Sequence, residues 1–170
     1  MNIRRELIEH KLSEISDNVN IVSENMPSKF EDFADMGLSK HGLYKMIEFA
    51  IQDVIDICSI LNSDLSLGMP ENEDILLEHI ENKNIFTKNV MSKIKEMKGF
   101  RNILVHKYGD IDDRKAFEDV GEGLKDFESF IKEIENFLEK YSEKENKKGN
   151  NKNGNNKKKN DRKWDYSIVI

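Results

Sequence analysis

Apolar positions recur at intervals of three and four along most of this chain, a period that predicts helices and not strands. Ile3, Leu7, Ile8, Leu12, Ile15, Val19 and Val22 predict an amphipathic helix over residues 3–24, ended by Asn25-Met26-Pro27-Ser28. Residues 29–37, with Phe30 and Phe33, read as a connector with room for a short helical turn. Ser39 is placed to cap a helix reaching about Leu61. Its face of Leu43, Met46, Ile47, Ala50, Ile51, Val54, Ile55, Cys58 and Leu61 is broad enough to pack against two neighbours. Asn62, Ser63, Gly68 and Pro70 mark a loop, and a short helix over about 71–82 carries Ile75, Leu76 and Ile80 before Asn82-Lys83-Asn84 breaks it. In the next helix, about 86–107, Val90, Ile94, Met97, Arg101, Leu104 and Tyr108 follow one another by four, three, four, three and four. Such a seam is what one helix shows to a closely parallel or antiparallel partner. Gly109 stops this helix. Asp112 or Asp113 caps the last one, to about Tyr141, which carries Phe117, Val120, Leu124, Phe127, Phe130, Ile131, Ile134, Phe137 and Leu138.

The expected architecture is therefore all-α: an up-and-down bundle of four to five helices formed by residues 1–142. From 143 to 163 Asn, Lys and Gly dominate, a composition that buries no core and predicts a disordered tail over 143–170. The tail ends in apolar residues, Trp164 to Ile170, which either add as a strand, dock in a groove or fray.

Charge sharpens the picture. The chain carries −6 overall, with +5 on residues 143–170 and thus −11 on residues 1–142. So acidic a body excludes a general nucleic-acid binder and confines any RNA contact to a local basic site or the tail. Cys58 is the single cysteine and lies in an apolar helical pattern. It reads as a small core residue, forms no internal disulfide and points to a reducing, cytoplasmic setting. No apolar run approaches the roughly 18 residues of a membrane span, and no apolar signal core follows the first residues. There is no internal repeat, glycine-rich phosphate loop or metal-ligand cluster.

The stretch Gly99-Phe100-Arg101-Asn102-Ile103-Leu104-Val105-His106-Lys107-Tyr108-Gly109-Asp110 is where chemistry is concentrated. A guanidinium grips phosphate with a planar fork and stabilises charge growing on its oxygens, as Arg101 would. An imidazole titrates near neutrality and can move a proton to or from a ribose hydroxyl, as His106 would. Asn102 precedes His106 by four residues and neighbours it on the helix. A phenol at Tyr108 can bond a phosphate, stack on a base or accept a modification. Five residues along a helix amount to about 140° of rotation and a rise of about 7.5 Å, so Arg101 and His106 of one chain diverge. A second copy against the motif would bring two such pairs around one cleft. Each residue also has a plainer duty: the arginine can pair with an acid, the histidine can favour the helix dipole, and the tyrosine can pack in the core. Asp53 and Asp56 are candidates to orient the site or members of a solvated face.

The R-x4-H-x-Y pattern of Arg101, His106 and Tyr108 resembles that of the HEPN superfamily. The longer run from Phe100 to Asp112, with the helix around Ile47–Cys58, resembles its HepT branch of toxin–antitoxin proteins over about residues 1–140. That resemblance implies a homodimer joined through the motif helices and metal-independent RNA cleavage that leaves a 2′,3′-cyclic phosphate, with no cofactor. It implies catalytic roles for Arg101 and His106 and a supporting one for Asn102. It also implies an MntA-type nucleotidyltransferase antitoxin that transfers AMP to Tyr108. Two rivals stand beside this reading: a non-catalytic nucleotide-binding or regulatory partner of such a transferase, and a purely structural helical adaptor.

Overall fold

The computed structural model describes residues 3–106, 111–150 and 168, with the backbone alone at 145–150. Six helices are present among them: α1 Arg5–Asn25, α2 Phe30–Ala34, α3 Leu38–Asp64, α4 Glu73–Asn82, α5 Lys88–His106 and α6 Asp113–Asn150. None is long and apolar enough to cross a membrane. The expected all-α bundle is what forms, with the connector after α1 supplying the additional one-turn α2.

The periodic stripes set the packing. Ile8, Leu12, Ile15, Val19 and Val22 of α1 are fully buried, and α3 answers with Ala50, Val54, Ile57, Cys58 and Leu61. Cys58 is a core residue whose thiol burial pushes up to about 12, far from reactive range. Side-chain bridges show the up-and-down order. Arg4 pairs with Asp64 and Lys11 with Asp53, which sets α1 antiparallel to α3; Thr87 meets Glu133 and Lys93 meets Asp126, which does the same for α5 and α6. The central helix α3 touches α1, α4 and α5.

Two local details differ from the sequence reading, and a third decides between two alternatives it left open. Ser39 does not cap α3; Gly37 does so, at φ 58°, a left-handed turn that glycine takes without steric cost. At α6, Asp112 is the cap, its carboxylate accepting from the backbone N–H groups of Arg114 and Lys115 at 3.1 Å. The same helix then runs to Asn150, past the predicted end near Tyr141 and into the Lys/Asn-rich segment. Glutamate and lysine at 143–145 are good helix formers and extend an element already anchored by its core face. The tail beyond 150 lies outside the described residues except at Ile168, which is half-buried and packs against the core.

Candidate active site

The motif helix is held at its start. Thr87 caps α5 through its hydroxyl, which accepts from Val90 N–H at 3.3 Å, while its own N–H and hydroxyl donate to the Glu133 carboxylate of α6 at 2.8 and 2.7 Å. Val90, Ile94, Met97 and Leu104 are buried. The four-three seam is thus spent inside the protomer, against α3, α4 and α6, and not on a second copy. The parallel or antiparallel neighbours that the seam calls for are helices of this chain, and its side chains fill this chain's own core.

Arg101 sits on the seam, so its guanidinium is carried inward, with only 12% of the side chain exposed. There Nη1 donates to Gln52 Oε1 at 2.8 Å, and Nη2 donates to both oxygens of Glu73 at 2.9 Å. Nη2 also reaches Asn102 Oδ1 at 3.3 Å. Arg101 therefore does pair with an acid. Among the described residues, its Nε–H and one Nη1–H are left for another acceptor. Asn102, half-buried, turns its amide oxygen to Arg101. His106 is exposed in the last turn of α5. Tyr108 lies outside the described residues, as does the rest of 107–110.

Gln52 and Glu73 are the residues that sequence reasoning missed. Glu73 opens α4 behind the cap Asn72, whose Oδ1 accepts from Ile75 N–H at 3.0 Å. An acid in a first helical turn suits the helix dipole, and that local rationale hides its longer-range use. Of the two aspartates singled out on α3, Asp53 turns away to Lys11 at 2.6 Å. Asp56 accepts from Gln52 Nε2 at 2.9 Å and from Lys11 at 2.9 Å, so it steadies the amide that meets Arg101. The chain Lys11–Asp56–Gln52–Arg101–Glu73 links three helices to the motif.

The chain leaving the motif is fixed again at α6. Tyr44, buried in α3, donates its hydroxyl to Asp113 at 2.9 Å, and Lys40 pairs with the other carboxylate oxygen. Burial opposes the Asp113 charge, but these two donors outweigh it and hold the carboxyl below its ordinary range. On another side of α5, Ile47, Met97, Phe100, Ile103, Leu124 and Phe127 help to line a cavity of about 400 Å³; Arg101, Asn102 and His106 do not line it. No group of three or more His, Cys, Asp or Glu suited to a metal ion occurs among the described residues.

The family described as ribonuclease HepT-like matches residues 8–134, and the chain belongs to it. An mRNA nuclease HepT of Shewanella oneidensis is 32% identical over 77 residues, 45% of this chain and 58% of that protein's length. A putative RNase of Archaeoglobus fulgidus is 25% identical over 138 residues, 81% of this chain and 98% of the relative. The fold is shared with a solved structure of a tri-AMPylated Shewanella oneidensis HEPN toxin in complex with an MNT antitoxin. The TM-score is 0.70 at 24% identity, over 79% of this chain and 98% of that one.

Proposed function

We propose that this protein is a metal-independent endoribonuclease toxin acting as a homodimer, with Arg101 and His106 as its catalytic residues. The observation that carries the reading is the placement of the family's Arg and His on one helix, the arginine held by Gln52 and Glu73 and the histidine exposed at the helix end. In this scheme His106 takes the proton of a ribose 2′-hydroxyl. The 2′-oxygen attacks the adjacent phosphorus, the P–O5′ bond breaks, and the departing 5′-oxygen is protonated, leaving a 2′,3′-cyclic phosphate and a 5′-hydroxyl. Arg101, with Asn102 beside it, steadies the charge that gathers on the phosphorus oxygens. Because the two side chains diverge on one helix, a second protomer is needed to surround one phosphate. The names of the relatives support RNA as substrate, and the antitoxin complex formed by the fold neighbour supports a nucleotidyltransferase as partner.

Control of the activity is assigned to Tyr108. An AMP transferred from ATP to its deprotonating hydroxyl by an MntA-type antitoxin, with pyrophosphate leaving, places an anion two residues after His106 and obstructs RNA. To test this, the protein is incubated with its cognate transferase and ATP and then digested for mass spectrometry. AMP on Tyr108, none on Tyr108→Phe, and loss of RNA cleavage only in the modified protein are expected. Transfer to another residue, or full cleavage by the modified dimer, contradicts the assignment.

A further inference from the structure

The cations of α5 are arranged with a regularity that catalysis at Arg101 and His106 does not require. Taking about 100° per residue, Lys95, Asn102 and His106 lie within about 40° of one another around the helix, and Lys98 lies between them and Arg101. Lys95 and His106 are about 16 Å apart along the axis. This track is matched by α4, running antiparallel: Glu73 pairs with Arg101, Asp74 with Lys98, and Glu81 with Lys95 at 2.6 Å. In the Asp74–Lys98 pair the acid is the freer member, its side chain 81% exposed against 14% for the lysine, while Glu81 and Lys95 are both open to water at 42% and 48%. Helix α4 is itself fixed by buried Leu76, Leu77 and Ile80, so Asp74 and Glu81 can swing to water while the helix stays in place. Exposed ion pairs contribute little and are readily exchanged for another anion.

We propose that Lys95 and Lys98 extend the Arg101–His106 site into a phosphate-binding track for single-stranded RNA, and that Asp74 and Glu81 occupy this track in the free protein as stand-ins for RNA phosphates. The inference rests on the ribonuclease reading and adds where the strand lies and what it must displace. It also reconciles a body of charge −11 with an RNA substrate, because the acids nearest the site are competitors that step aside.

The test is binding of a short end-labelled RNA across a salt series, with His106→Ala in every protein so that the strand stays intact. Replacing Lys95 and Lys98 together by Gln should weaken binding about tenfold at physiological salt and make the log K against log salt slope shallower by about 1.4. Asp74→Asn with Glu81→Gln should tighten binding about two- to fivefold. Lys132→Gln with Lys140→Gln, on exposed positions of α6, removes the same charge elsewhere and should leave binding unchanged. Equal weakening by the α5 and α6 pairs, or an unaltered slope in the α5 pair, overturns the track. Unchanged or weaker binding by the acid variants overturns the cover. A protein with His106 intact that neither binds nor cuts RNA refutes the ribonuclease reading itself, an outcome separate from these.

Discussion

Two antiparallel helix pairs in this molecule are bridged by almost the same charges to different ends. Between α1 and α3, Arg4 meets Asp64 and Lys11 meets Asp53 and Asp56. Between α4 and α5, Arg101, Lys98 and Lys95 meet Glu73, Asp74 and Glu81. In the first pair Asp53 and Asp64 are among the most enclosed members, sitting at the edge of a mostly apolar seam. Burial opposes the Lys11 ammonium, but the hydrogen bonds and charges of Asp53 and Asp56 outweigh it and hold its pKa above the usual value. Asp53 is raised, burial outweighing the lysine's help. An acid that cannot turn to water is committed to the fold. In the second pair Asp74 and Glu81 face water while Lys98 and Arg101 are held, so Lys95 and Lys98 can change partners without cost to the core. Whether an ion pair serves stability or binding follows from which member is free to leave.

Substitutions can break this contrast, the largest effect coming at α5. Arg101→Lys keeps the charge but loses the fork that spans Gln52 and Glu73. Single-turnover RNA cleavage should fall by about 10²- to 10³-fold, the size expected for loss of one preorganised donor. A fall of less than threefold would make Arg101 a packing residue. Asp53→Ala leaves Lys11 partly buried with Asp56 and the more distant Glu14, and should cost about 1–3 kcal/mol in urea unfolding. Cleavage per folded molecule should be unchanged, because Asp53 touches nothing in the motif. A cleavage defect without a stability defect would place the α1–α3 pair in the functional class after all.

The smallest effect is one of pH. Asp113 has a folded pKa below its ordinary 3.8, so its carboxylate adds stability above that value and loses it as pH falls through the depressed pKa. The advantage of the parent over Asp113→Asn in thermal unfolding should therefore be constant near neutrality and shrink below about pH 4. An advantage that persists at lower pH would mean that the side-chain amide, and not the charge, decides the difference.

Much of the scaffold is legible in the chain. The three-four spacing of Ile8, Leu12, Ile15, Val19 and Val22 marks the buried face of α1, and the breadth of the α3 stripe anticipates a central helix with several neighbours. Periodicity is a local signal, and its limits are equally local. It identifies Arg101 as a polar residue in an apolar seam but cannot name Glu73 or Gln52, which lie 28 and 49 positions away. It also reads Val90, Ile94, Met97 and Leu104 as a face without saying whose core they enter; the structure gives them to this protomer. Composition misplaced the end of α6 because Lys and Glu are shared by solvated helices and by tails.

The central claim is that His106 on α5 does chemistry while the surrounding pairs only hold or yield. Cleavage of an end-labelled RNA in excess chelator, with parent and His106→Ala side by side and their unfolding curves measured together, tests it most directly. The account predicts cuts ending in cyclic phosphate by the parent, a loss of about 10²- to 10⁴-fold in the variant, and superimposable unfolding curves. Equal cleavage by a folded His106→Ala protein, or no cleavage by the folded parent on a broad RNA panel, would contradict it.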